Sequence, residues 1–171
     1  MALVDIGASK MNINIVADGA SALTQDVVLG GWHLTEQIQR ALDLSFAEAE
    51  DIKLGRVAPA DEEARQQVAA LVLDTCRQWS AEIERALDKY RGGNPEQEIG
   101  RVILSGGGAR LAGLADFLER ENGLPTSVYN PFVRVTADPG RRSSRLPANR
   151  GSANGPGLWA GHPAGGILIS W

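Results

Sequence analysis

Met11, Ile13 and Ile15 alternate with Asn12, Asn14 and Val16, the period-two pattern of a strand with one buried face. Ahead of them, residues 2–6 form a short apolar run that runs into Asp5-Ile6-Gly7. Behind them, Asp18-Gly19 is a two-residue hairpin signal, and residues 20–29 return as a mostly extended segment. The chain therefore opens as strand, tight polar turn, strand, hairpin, strand, and Gly30-Gly31 closes that unit.

After Gly31 the apolar period lengthens to three and four. Leu34, Ile38, Ala41 and Leu42 predict a helix, with Thr35 as its cap and Glu36 in its first turn. Ser45 followed by Glu48 is a capping-box pattern that opens a second helix over residues 45–53. Residues 55–61, with Pro59, read as a turn. Over residues 62–90, Val68, Leu71, Val72, Cys76, Trp79, Ile83, Ala86 and Leu87 mark one face of a long amphipathic helix. Asp61, Glu62 and Glu63 form its charged first turn, and Gly92-Gly93-Asn94-Pro95 stops it. Residues 102–104 read as a short buried strand, Ser105 to Gly108 as a glycine turn, residues 111–119 as a helix, and Val128 as part of a last strand. The predicted class is α/β: an antiparallel hairpin joined to a mixed sheet, with covering helices.

Composition narrows the class of function. The 171 residues are 43% hydrophobic and 22% charged, which is globular rather than disordered. A net charge of −4 argues against a nucleic-acid binder driven by phosphate contacts. One cysteine, Cys76, on the apolar face of the long helix, supports neither a disulfide framework nor a zinc site. No apolar run reaches the roughly 20 residues of a membrane helix, and no secretory signal opens the chain. The expected setting is the cytoplasm.

The charge is unevenly spread. Residues 140–171 hold four Arg, seven Gly and three Pro, with no Lys and no acidic residue, while residues 1–139 carry a net −8. Two readings remain open for this segment: a disordered tail, or a reading-frame shift after about Pro139 in a GC-rich gene. The division expected is a folded unit over residues 1–136, with a small outer subdomain near residues 33–60, and a non-matching tail over residues 137–171.

Two turns carry candidate chemistry. In Asp5-Ile6-Gly7-Ala8-Ser9-Lys10, Gly7 frees the backbone and the small side chains at 8 and 9 let a ligand approach the main chain. Successive amides in such a turn converge on an anion, and Asp5 at the strand end suits a water on Mg²⁺. An ordinary hairpin with a capping Asp fits the same residues. The second turn, Ser105-Gly106-Gly107-Gly108-Ala109-Arg110, sits between a strand and a helix, as a phosphate or nucleotide site would. It is neither a dinucleotide fingerprint nor a P-loop. His33 and His162 have no partner in a recognisable catalytic arrangement, and Trp79 reads as core.

The order of the segments LVDIGASKMNINIVADG, VLGGWHLTEQI, AEAEDIKLG and RVILSGGGARLAGLADFLE resembles the second lobe of the actin-like ATPase fold. The stretch Gly30-Gly31-x-x-Leu34-Thr35-Glu36 and the segment LPTSVYNPF are similar to the PilM family, the actin-like components of type IV pilus assembly and twitching motility. The resemblance covers roughly residues 2–135. It implies that Asp5, Gly7, Ala8 and Ser9 form a phosphate loop, with Asp5 facing Mg²⁺ through water. It further implies that Gly106, Gly107 and Gly108 let the nucleoside of ATP lie on the main chain, with Arg110 near adenine or ribose. Glu50 and Lys53 would flank the adenine from the other side; a helical surface ion pair is the other reading of these two.

The resemblance starts at the second phosphate hairpin, so an incomplete fold is expected: one lobe, binding ATP weakly, not hydrolysing it, and exposing apolar area. In full-length relatives the implied partners are the cytoplasmic tail of the membrane protein PilN, docking largely on the lobe that has no counterpart here, and other pilus platform proteins, which hold the protein at the inner membrane. The alternatives are the cell-division protein FtsA, a type II secretion platform protein, or a sugar-kinase-like enzyme of the same superfamily.

Overall fold

A computed structural model describes residues 1–129. The first three strands are β1 (Ala2–Ile6), β2 (Met11–Ala17) and β3 (Ala20–Val27), joined in sequence as antiparallel neighbours. Asp18 and Gly19 both adopt positive φ, 51° and 79°, the geometry a two-residue hairpin requires. Four helices follow the hairpin in chain order with two further strands among them: α1 (Gly31–Leu42), α2 (Phe46–Lys53), α3 (Glu62–Gly93), β4 (Val102–Ser105), α4 (Leu114–Asn122) and β5 (Thr126–Val128). The sheet runs β3-β2-β1-β4-β5, antiparallel on the hairpin side and parallel from β1 through β4 to β5.

Register sets which residues enter the core. Val4 stands opposite Ile13 on β2 and opposite Leu104 on β4. Ala2, Val4, Ile6, Met11, Ile13, Ile15, Val102 and Leu104 are all buried, so one face of the sheet is continuous apolar surface. Helices α3 and α4 cover it, and Val68, Val72, Cys76, Trp79, Ile83, Ala86 and Leu87 of α3 are buried as their spacing predicts. Leu71 is only partly buried. Among the described residues no helix is long and apolar enough to cross a membrane. Large apolar residues nevertheless reach solvent, including Val28, Trp32 and Val57, and Trp32 meets Phe46 edge to face at 6.3 Å.

Two expectations about helix ends need correction. Thr35 does not cap α1. The helix begins at Gly31 after Gly30, and Thr35 is buried inside it. No side-chain cap is needed, because the Gly7 and Ala8 carbonyls accept from the first amides of α1. The helix expected from residue 111 starts at Leu114 instead. The glycine turn leads into a single 3₁₀ turn, Gly108–Arg110, and Gly113 at φ 76° then redirects the chain before α4. By contrast, α2 opens on the expected Ser45–Glu48 capping box, and Asp61 caps α3. Asn130, Pro131, Phe132 and the Arg- and Gly-rich segment from residue 137 lie outside the described residues.

Candidate functional site

Strands β1 and β4 are parallel neighbours, so the turns that leave them open at the same edge of the sheet. Ligands of α/β sheets collect at such carboxyl ends. Asp5 pairs with Ser105 in the ladder, and the Ser105 hydroxyl donates to Asp5 Oδ1 at 3.2 Å. Gly106 has φ 87°, and a Cβ there would lie 2.4 Å from both Asp5 Oδ1 and the Ile6 carbonyl oxygen. A Cβ on Gly108 would lie 2.3 Å from Ile6 Cγ2. These two glycines let the second turn lie on the first. Gly107 differs, since a Cβ there would meet no protein atom within 4 Å.

The first turn is clamped through its carbonyls. The Gly7 amide donates to the Lys10 carbonyl at 2.9 Å. Gly31 donates to the Gly7 carbonyl at 2.9 Å and Trp32 to the Ala8 carbonyl at 2.8 Å. Lys10 Nζ reaches Asp26 at 2.9 Å, tethering the end of the turn to β3. The Ala8 and Ser9 amides donate to no acceptor among the described residues. Two adjacent free amides in a braced turn leave donors that an anion could take.

A third group forms behind this turn. Lys53 Nζ donates to Glu50 Oε2 at 2.6 Å, to Thr35 Oγ1 at 2.9 Å and to the Gly31 carbonyl at 3.2 Å. Thr35 Oγ1 in turn donates to Glu50 Oε2 at 2.5 Å. The Lys53 and Glu50 side chains are 12% and 28% exposed, so this pair is not the freely solvated ion pair of a helix surface. Thr35 is fully buried and fixes both partners.

A cleft of about 290 Å³ lies between this group and the glycine turn. Gly31, Lys53 and Arg56 line one side, and Gly107, Gly108 and Arg110 the other, with Trp79 among its walls. The Trp79 indole donates to the Leu29 carbonyl at 3.2 Å, which braces that wall. Lys53, Gly107, Gly108 and Arg110 are thus brought together around one cleft. Asp5, Gly7, Ala8, Ser9, Gly106 and Glu50 do not line the cleft, and connect to it through Gly31, Lys53 and Gly107. The sequence motifs do not mark Arg56, Thr35 and Gly30 as site residues. For Gly30 and Thr35 a signal existed, a paired glycine before a helix and a polar residue on an apolar helical stripe. Arg56 had none.

No group of three or more His, Cys, Asp or Glu side chains that would hold a metal ion directly occurs among the described residues. A cation here would be held mainly by a ligand's phosphates and water, which is the usual manner of Mg²⁺.

Comparison with known proteins gives this geometry a context. The chain is similar to the cell-division protein FtsA of Agrobacterium fabrum, 28% identical over 143 residues, covering 70% of this chain and 32% of that protein. Among solved structures it is similar to the PilM-PilN type IV pilus biogenesis complex, with TM-score 0.68 and 25% identity over 84% of this chain and 39% of the other. The fold is also shared with MreB5 of Spiroplasma citri bound to AMPPNP, with TM-score 0.59 and 14% identity, over 74% of this chain and 47% of that one. The chain therefore spans about a third of the FtsA relative and under half of either structure. A family model described as type IV pilus assembly protein PilM matches residues 1–153. Taken with the actin-like fold, that match places the chain in the family: it belongs to the PilM proteins of type IV pilus assembly.

Proposed function

We propose that this chain is a nucleotide-holding lobe of a cytoplasmic pilus-assembly scaffold, binding ATP with Mg²⁺ as a structural ligand. The observation that carries the reading is the pair of unengaged amides, Ala8 and Ser9, in a turn whose Gly7, Ala8 and Lys10 carbonyls are tied back. The β- and γ-phosphates would take those amides. Asp5 would face the metal through water. The nucleoside would lie along Gly107 in the cleft, with Arg110 supplying positive charge and Lys53 and Arg56, paired to Glu50 and Asp51, along the other wall. Mg²⁺ held there by the phosphates, with Asp5 behind a water, would neutralise phosphate charge.

The partner proposed for the whole protein is the cytoplasmic tail of PilN, supported by the similarity to the PilM-PilN complex. That partner would hold it at the inner membrane. A second reading, a cell-division role like that of FtsA, is favoured by the 28% identity to the Agrobacterium protein. It shares the nucleotide site and differs in the partner.

The nucleotide reading is tested by titrating ATP-Mg²⁺ into the ¹⁵N-labelled chain. This chain supplies one braced turn of phosphate donors, so saturable binding with Kd on the order of 0.1–1 mM is expected. Shifts should fall on Ala8, Ser9, Lys53 and Gly107. No shifts at 10 mM ATP, or shifts confined to other surfaces, would defeat the reading. Pull-down of the full-length protein with a PilN tail peptide separates the two readings: retention is expected on the pilus reading and none on the division reading.

A further inference from the structure

A second hollow, of about 420 Å³, lies where the end of α1, the helix α2 and the start of α3 converge. Its wall is apolar: Leu42, Leu44, Ile52, Val57, Ala60 and Ala64. None of these lines the cleft described above. The volume lies within the roughly 300–1,000 Å³ of pockets that take ligand groups. Nothing among the described residues fills it, and Val57 is 54% exposed although it forms part of the wall. Small side chains at Ala58, Ala60 and Ala64 keep it open.

The rim is acidic and rigid. Glu48, Asp51 and Asp61 stand around the apolar wall. Glu48 is held by the Ser45 amide at 2.9 Å in the capping box, Asp51 by Arg56 at 3.0 Å, and Asp61 by the Ala64 amide at 2.8 Å. Residues 43–63 contain seven acidic and two basic side chains. An apolar wall inside a fixed negative field selects a ligand that is apolar on one side and basic on its flanks.

We infer that this hollow docks a short segment of a partner protein that places apolar side chains in the groove and Lys or Arg beside Glu48, Asp51 and Asp61. The occupant is a separate chain. The groove shares no lining residue with the proposed nucleotide cleft, and the two are linked through the Arg56–Asp51 ion pair at 3.0 Å.

The probe is a capped 12-residue peptide of Leu and Lys with Leu at i, i+3, i+4 and i+7, titrated into the full ¹⁵N-labelled chain. Saturable shifts are expected at Leu44, Ile52, Val57, Ala60 and Ala64. Affinity should fall at least tenfold when every Lys of the probe is Glu, and at least tenfold in Val57→Glu. Ala58→Trp, which fills the groove without altering its charge, should give the same loss, with circular dichroism confirming the fold of both variants. Equal binding of the Glu peptide, or shifts lying outside the groove, overturns the proposal. So does movement of the groove resonances with protein concentration alone, which would make a second copy the occupant. A spin label on Ser144→Cys tests the chain's own Arg-rich segment, because Cys76 is buried and resists labelling. Broadening of the groove amides by that label would also overturn it.

Discussion

Gly30 touches Ala8 so closely that a Cβ on Gly30 would lie 2.4 Å from the Ala8 carbonyl oxygen and 2.6 Å from the Lys10 amide nitrogen. The start of α1 and the first turn are therefore one unit. The helix gives its first amides to the turn's carbonyls, and the turn presents its own amides outward.

Gly30→Ala breaks that unit. The added methyl meets backbone rather than a movable side chain, so one of the two elements must shift. A loss of about 1–3 kcal/mol is expected, in the range of overpacking. Urea unfolding measures it, and the same variant should lose the ATP-dependent shifts at Ala8 and Ser9. Unchanged stability would mean that the turn and the helix are free to separate.

Gly106 and Gly107 should answer oppositely to alanine. Gly106→Ala combines a positive φ with contact against Asp5 and Ile6, and should cost more than 1 kcal/mol. Gly107 has φ −66° and ψ −39° with open space at its Cβ, so Gly107→Ala should be neutral or stabilising by about 0.4–1 kcal/mol. Gly107→Val should fold and still weaken ATP binding several-fold. If Gly107→Val binds like the native chain, the nucleoside does not lie along that turn.

Thr35→Val removes the hydroxyl that bonds to both Lys53 and Glu50, which also pair directly. Leaving those partners under-satisfied is expected to cost about 1–3 kcal/mol. Thr35→Ser should keep most of the stability and most of the ATP response. Comparing the two urea midpoints isolates the hydroxyl, and equal midpoints would make the buried bond irrelevant.

Burial pushes the Cys76 thiol up to about 12 from an ordinary 9.0. The folded state thus resists forming the thiolate more than the unfolded state does. The contribution is fully present below pH 9 and is lost as pH rises toward 12. Stability should fall across that window, and Cys76→Ala should flatten this part of the profile while costing stability at neutral pH. In native buffer at pH 8 the thiol should react with a disulfide reagent only after urea is added. Prompt reaction in the native state would contradict the burial.

Much of this architecture is legible in the order of residues. The alternation at Met11, Ile13 and Ile15 locates β2 and its core face. The Ser45–Glu48 pair locates α2, and the three- and four-residue steps around Cys76 locate α3. These signals are local, and local chemistry decides them. Threonine favours cap positions, which makes Thr35 look like one, but the acceptors for the first amides of α1 come from Gly7 and Ala8, more than twenty residues earlier. Gly113 ends the run that periodicity extends back to residue 111, because one left-handed residue outweighs a few apolar matches. In the site, both glycine turns are visible as motifs. The meeting of Lys53 with Thr35 depends on how α1 lies against α2, and no spacing along the chain encodes that.

Val4 sits beside Leu104, a hundred residues away in the chain, at the middle of the sheet. The hairpin of β1, β2 and β3 closes through neighbours in sequence, whereas the docking of β4 waits on a long loop closure. During synthesis, an emerging chain that ends before Ser105 would hold the first turn but not the wall opposite it. The cleft is complete only once that loop closes, and a ligand spanning both turns would act as a clasp on a contact between segments about a hundred residues apart.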